Sequence, residues 1–216
     1  MVTSREALEA ALRDVVDPVV RAAGFQGAPD TWRRMSEAGD WAVVNVQLAG
    51  TAQSVQCAIN LAVVPEPWLE FMSEWLGRPP ARVNESLGLY RERLEPTGSA
   101  GGVDGAWSVG APGEAEAVAA DMAGRLREHG LPLLDRLLDR EQFLASLRAG
   151  DLGMLKAEHF TGVFAFAEAV LISDEGPGER LEELLRISWE QAEPDRKASA
   201  ERYGDWIRRR AKTRHG

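Results

Sequence analysis

The stretch that decides the fold is WAVVNVQLAG at positions 41–50, followed after a short break by SVQCAINLAVV at 54–64. Side chains of a strand alternate between two faces. In the first segment Ala42, Val44, Val46 and Leu48 share one face, and Trp41, Val43, Asn45 and Gln47 the other. In the second, Val55, Cys57, Ile59, Leu61 and Val63 form an apolar set, opposed by Gln56, Ala58, Asn60, Ala62 and Val64. Val and Ile dominate, as a pleated, half-buried surface favours. The break around Gly50, Thr51, Ala52 and Gln53 is short enough for a hairpin. The apolar sets coincide if Val46 pairs with Cys57 or with Val55. A slip of one residue would turn half of that set to water, so the loop is expected to hold an even number of residues.

In either register Asn45, Gln47, Gln56 and Asn60 share a face flanked by Trp41. A plain solvent face more often carries Lys, Glu or Thr. Carboxamides donate and accept hydrogen bonds without the desolvation cost of a charge, which suits a surface that becomes covered. Two coverings are open: helices of the same chain, or a ligand or partner.

The 216 residues allow one large domain or two small ones. A hydrophobic fraction of 44% and a charged fraction of 27% are those of an ordinary soluble globular protein. The net charge of −9 argues against nucleic acid or an anionic membrane as the main partner. The single cysteine, Cys57, excludes an internal disulfide. It falls on the apolar face, where a thiol acts as a small hydrophobe rather than a nucleophile. No apolar run approaches the ~20 residues that span a bilayer, and the first residues lack a basic-then-apolar leader pattern. A cytoplasmic protein is expected.

Working outward, Thr3 and Glu6 have the spacing of a capping box. Leu8, Leu12, Val15, Val16, Val19, Val20 and Ala23 then recur with a helical period. Pro18 is expected to kink this helix, and Gly24 to cap it ahead of Phe25. Positions 31–36 read as a strand, with Gly39 and Asp40 turning into the hairpin. The apolar PEPWLEFMSEWLG after Val64 reads as a short helix or loop ending at Gly77. Positions 87–94 read as a fourth strand and 106–109 as a brief fifth. TGSAGG at 97–102 is a flexible loop, and without a following Gly-Lys-Ser/Thr it is no phosphate cradle. From Glu114 onward the periodicity is helical. Gly130 is expected to end the first of these helices, Asp139 with Gln142 to open the next, and the arginine-rich tail from Arg208 to be a solvated helix end. The expected architecture is α+β: an antiparallel meander sheet of four to five strands packed by an N-terminal helix, followed by an all-helical C-terminal region. The division expected is a sheet-bearing domain over 1–150 and a helical annex over 151–216.

The order of a helix ending in Gly24-Phe25, a Trp32 strand, Val46-Gln47, Ile59-Asn60-Leu61, Arg91 or Arg93, Trp107 and the run LPLLDRLLDREQFLASL resembles the bacterial domain-of-unknown-function family numbered forty-three-oh-four. The resemblance covers roughly Arg5 to Gly150. Around Trp107 the chain departs from the paired tryptophans such proteins often show. The resemblance implies an α+β domain and carries no catalytic residues over.

No two of His129, His159 and His215 have the spacing of a metal pair, and neither His-Glu-x-x-His, Cys-x-x-Cys nor Gly-x-Ser-x-Gly occurs. No catalytic residue, metal or cofactor is therefore assigned. Arg91 and Arg93 share a strand face with Glu92 opposite, either as charges protecting an edge or as a clamp for a carboxylate or phosphate. The candidate binding residues are Trp41, Asn45, Gln47, Gln56, Asn60, Arg91, Arg93 and Trp107. The expected function is a non-enzymatic protein-interaction module using the carboxamide and tryptophan face. The alternative is a small-molecule, anion-binding protein or enzyme. Its pocket would lie over the same face, roofed by helices and the Gly98–Gly102 loop, with Arg91 and Arg93 as anchors.

Overall fold

Thr3 caps the first helix as its spacing predicts. Its Oγ1 accepts from the Glu6 N–H at 3.2 Å, and Glu6 Oε2 accepts from the Thr3 N–H at 2.9 Å. A computed structural model of the chain describes residues 2–97 and 105–215. In it the first helix, α1, runs over 4–22 as two regular segments, Ser4–Ala11 and Asp17–Ala22, joined by a π-helical turn at Leu12–Val16. The Asp17 N–H reaches back five residues to the Leu12 carbonyl. That wider turn stands just ahead of Pro18, which then falls at the start of a regular segment, where no N–H is required. Gly24 follows with φ of 84°, and Phe25 is buried behind it.

The sheet has six strands: β1 (Gln26–Ala28), β2 (Thr31–Met35), β3 (Trp41–Gly50), β4 (Val55–Val64), β5 (Tyr90–Leu94) and β6 (Trp107–Val109). The first five form an antiparallel meander. β6 also pairs with β4, taking Val55–Cys57 while β5 takes Ile59–Val63. β1 adds a strand beyond the expected four to five. The hairpin loop holds four residues, 51–54, so the expected parity holds. The pairing itself is shifted by two: Val46 faces Ile59, not Cys57 or Val55. A two-residue shift keeps every side chain on its face, because the pleat repeats every two residues.

One face is packed completely. Trp32, Val44, Val46, Cys57, Ile59, Leu61, Val63 and Trp107 are all 3% exposed or less. They are covered by α1 and by a second long helix, α3, over 115–137. Gly130 does not end α3. A second π turn, Leu126–Gly130, precedes Pro132 just as the first precedes Pro18, and the Leu131 N–H reaches back to Leu126. Gly130 lets helix and sheet approach closely: a Cβ there would lie 2.9 Å from a methyl of Leu94 and 3.3 Å from one of Leu61.

Between β4 and β5 lies α2 (Glu66–Leu76), ended by Gly77 with φ of 67°. Asp40, read from sequence as a turn residue, is buried and caps α2, its Oδ1 accepting from the Glu66 N–H at 2.7 Å. After α3 come α4 (Arg140–Arg148), two-residue strands β7 (Asp151–Leu152) and β8 (Leu155–Lys156), α5 (Ala157–Ile172), α6 (Glu179–Gln191) and α7 (Lys197–His215). The C-terminal region is thus helical apart from the β7–β8 hairpin. Its core joins that of the sheet region: Val170, Leu185 and Ile207 belong to the same buried cluster as Val44 and Ile59. Phe71 of α2 sits among Phe166, Tyr203 and Trp206, with ring centroids 4.8, 5.2 and 5.8 Å away.

The basic tail is not simply solvated. The Arg210 side chain is 5% exposed and pairs with Glu66 and Asp174, each at 2.9 Å, and with Glu70. Arg214 pairs with Glu66 and Glu70, and Arg208 with Glu182. Arg140 at the start of α4 pairs with Asp40, so one ionic network ties α2, α4 and α7 together. Burial and the neighbouring Glu66 hold the Asp174 carboxyl above its ordinary range, against the pull of Arg214 and Arg140. Among the described residues no helix is long and apolar enough to cross a membrane.

Candidate functional site

The second face of the sheet is built by register. Thr31 stands opposite Asn45, Asn45 opposite Asn60, and Asn60 opposite Arg93, giving one polar row across β2, β3, β4 and β5. The row is bonded end to end. Asn45 Nδ2 donates to Thr31 Oγ1 and to the Asp30 carbonyl, both at 3.1 Å. Asn60 Nδ2 donates to Asn45 Oδ1 at 3.2 Å, and Arg93 Nε donates to Asn60 Oδ1 at 3.2 Å. Each amide is thereby fixed in orientation. Gln47 and Gln56 extend the patch and are exposed, as are Arg91 and Arg93.

The other end of this face is closed by the chain between α2 and β5. Val43, Ala62 and Val64 are fully buried there. The Arg33 Nε donates to the Val83 carbonyl, and the Trp68 indole N–H donates to the Leu87 carbonyl at 3.1 Å. Gly88 crosses directly over the sheet; a Cβ on it would lie 2.7 Å from that of Ala62. Chain thus covers one end of the face; at the other Asn45 and Asn60 are half-buried and Gln47 and Gln56 exposed.

Seven of the eight candidate residues fall on this face. Trp41 is half-buried at its closed end, opposite Val64 and Met35. Trp107 does not join them. It pairs with Cys57 on the packed face, is fully buried, and donates its indole N–H to Asp121 Oδ2 at 2.6 Å. Its alternation with Ser108, which pairs with Gln56, placed it there. Gln26 was overlooked; it pairs with Arg33 on the same face as Asn45 and is exposed. A three-residue strand around a glycine carries too short a pattern to be read.

Two recesses open elsewhere, and neither is lined by Asn45, Gln47, Gln56 or Asn60. The larger, about 560 Å³, lies between β5 and α3 and is lined by Tyr90, Glu92, Arg93, Arg125, His129 and Arg136 among others. The Tyr90 hydroxyl donates to Glu92, and burial with that carboxylate raises the phenol above its ordinary range. The Gly98–Gly102 loop, expected as a roof, lies outside the described residues. Among the described residues no group of three or more His, Cys, Asp and Glu is arranged to hold a metal.

Residues 16–136 match the family described as Domain of unknown function (DUF4304), more than half of the chain. The chain belongs to the DUF4304 family. The DUF4304 match takes in all six strands and all but the last residue of α3, so the amide face lies wholly within it. The helices α4 to α7 lie beyond it. No curated protein and no solved structure matches the chain.

Proposed function

We propose that this DUF4304 chain is a non-enzymatic protein-interaction module whose partner lies on the open end of the amide face. The observation that carries the reading is the row Thr31–Asn45–Asn60–Arg93, bonded within itself, half-buried as far as Asn60 and flanked by the exposed Gln47, Gln56 and Arg93. Fixed side chains lose little conformational freedom on binding. The amides and hydroxyl of that row, with no carboxylate at any strand position of the face, also resemble the core of a protein interface more than an ordinary surface. Small-molecule sites are concave, and the amides line neither recess, which favours a partner with a broad surface. A cytoplasmic setting is part of the proposal; a lone buried thiol without a disulfide suits a reducing compartment.

The test is a photo-crosslinking residue placed at Gln47 or Gln56 in the full chain, in its host cells, with Ala117 on the outer side of α3 as the control position. The same protein is expected from both face positions and not from Ala117. The reading is lost if the face positions yield no protein, or only what Ala117 yields.

One observation favours a second reading, binding of a small anion. The groove between β5 and α3 gathers Arg93, Arg125, His129 and Arg136. Pyrophosphate or citrate would then raise the melting temperature of the wild type but not of Arg125→Ala/Arg136→Ala, with sodium chloride at equal ionic strength as the control.

A further inference from the structure

The face that carries the amides differs in charge from the rest of the molecule. Acidic residues number 34 in the chain and outnumber Lys and Arg by nine. None of them occupies a strand position on this face, whereas Arg33, Arg91 and Arg93 do. Several arginines elsewhere are matched to carboxylates, Arg21 to Asp17, Arg140 to Asp40, Arg148 and Arg180 to Glu168 and Arg208 to Glu182, while others such as Arg125 and Arg136 are not, among the described residues. Arg91 and Arg93 have no carboxylate partner among the described residues. Arg93 is instead positioned through Nε by Asn60, which leaves its terminal nitrogens to bind elsewhere.

We infer that the partner segment seated on the amide face is an acidic, extended stretch of protein with carboxylates at alternate positions. This rests on the interaction reading above. A chain of net charge −9 repels an acidic partner from most directions. An acid-free face with unmatched guanidiniums is the approach that removes that repulsion and sets orientation. Arg91 and Arg93 are two residues apart on one strand, so their Cα atoms lie about 7 Å apart. Alternate carboxylates of an extended segment have the same spacing, and each can take a guanidinium through two parallel hydrogen bonds. Gln47 and Gln56 lie beyond the row with donors and acceptors for that segment's backbone. Single-stranded nucleic acid is the weaker occupant, because it needs aromatic platforms for its bases. The face offers one aromatic, Trp41, half-buried at the closed end.

The experiment uses the full chain with the photo-crosslinking residue at Gln56 and sequences the captured peptide. It is expected to carry Asp or Glu at alternate positions. Capture is expected to fall about tenfold in Arg91→Glu/Arg93→Glu, by less in Arg91→Gln/Arg93→Gln, and to weaken as salt is raised. Both arginines are exposed, so the variants should lose no more stability than the single Arg93–Asn60 bond supplies, and the melting temperature is measured alongside. A captured segment without acidic residues, or capture unchanged by charge reversal but abolished by Asn45→Ala/Asn60→Ala, overturns the acidic partner while leaving the interaction module standing. Capture of nucleic acid overturns it as well. Absence of any captured protein removes both.

Discussion

Trp107 and Asp121 are bound to each other across the sheet–helix interface, indole nitrogen to carboxylate oxygen at 2.6 Å, with the indole wholly buried. The same arrangement recurs at the other side of the core, where Trp32 donates to Asp17 Oδ1, also at 2.6 Å. Each pair pins a strand to a helix: Trp32 of β2 to α1, Trp107 of β6 to α3. Both tryptophans are therefore structural, and Asp121 also holds the Thr97 N–H at 3.1 Å.

Removing the acceptor should be costly. Asp121→Ala leaves a buried indole N–H without a partner, a loss of about 1–3 kcal/mol. Asp121→Asn keeps an acceptor oxygen and should recover most of it. Urea denaturation midpoints of the two variants check this, and equal midpoints would contradict the assigned role.

The two aspartates also set an acid limit. Burial pushes each carboxyl up, but the bonds from Trp32 and Arg21 to Asp17, and from Trp107 and Thr97 to Asp121, outweigh it and hold both below the ordinary carboxylate range. A group whose pKa is depressed by folding contributes stability above its unfolded value, about 3.9 for Asp. That contribution is lost as pH falls through the folded value. Stability should therefore be steady down to roughly pH 4 and drop below it. In Asp17→Asn/Asp121→Asn the drop should be shallower, as measured by urea melts between neutral pH and the acid limit.

Arg210 is the residue on which docking of the last helix turns. Arg210→Met would leave Glu66, Glu70 and Asp174 facing one another with less compensation. Its carboxylate partners are partly exposed and keep Arg214 and Arg140, so the loss is that of charged hydrogen bonds, about 1–3 kcal/mol. The variant should lose stability on that scale, and limited proteolysis should cut first within α7. Unchanged stability with unchanged proteolysis would show that aromatic packing around Phe71 holds α7 by itself.

Cys57 should be inert. Burial pushes its thiol up to about 12, and its Sγ lies 3.9 Å from the Met122 sulfur inside the core. A thiol reagent at neutral pH should label it only as the protein unfolds. The labelling rate should follow denaturant concentration through the unfolding transition; fast labelling of the native protein would contradict its burial.

Much of this fold was legible because strand alternation and helix capping are local. The division of Trp41–Val64 into two faces depended on a period of two and survived a register two residues from one expected pairing and four from the other. Asn45, Gln47, Gln56 and Asn60 came together for that reason, and Thr3, Gly24 and Asp139 capped their helices through neighbours within five residues. Gly130 misled because a glycine inside a helix and a glycine ending one look alike in sequence. Its lack of a side chain serves the packing against Leu61 and Leu94. Asp40 and Arg210 misled for the opposite reason: their partners, Glu66 and Arg140 for the one, Asp174 and Glu66 for the other, lie from 26 to 144 residues away.

By itself the sequence determined which side chains share a face, where most helices begin, and that four carboxamides come together on one side of the hairpin, since each follows from the geometry of a few consecutive residues. The tertiary structure decided how much of that side stays open, that Trp107 turns inward, and that the basic tail is clamped to α2. Those outcomes depend on where distant segments come to rest, and that position is set by the packing of the whole core.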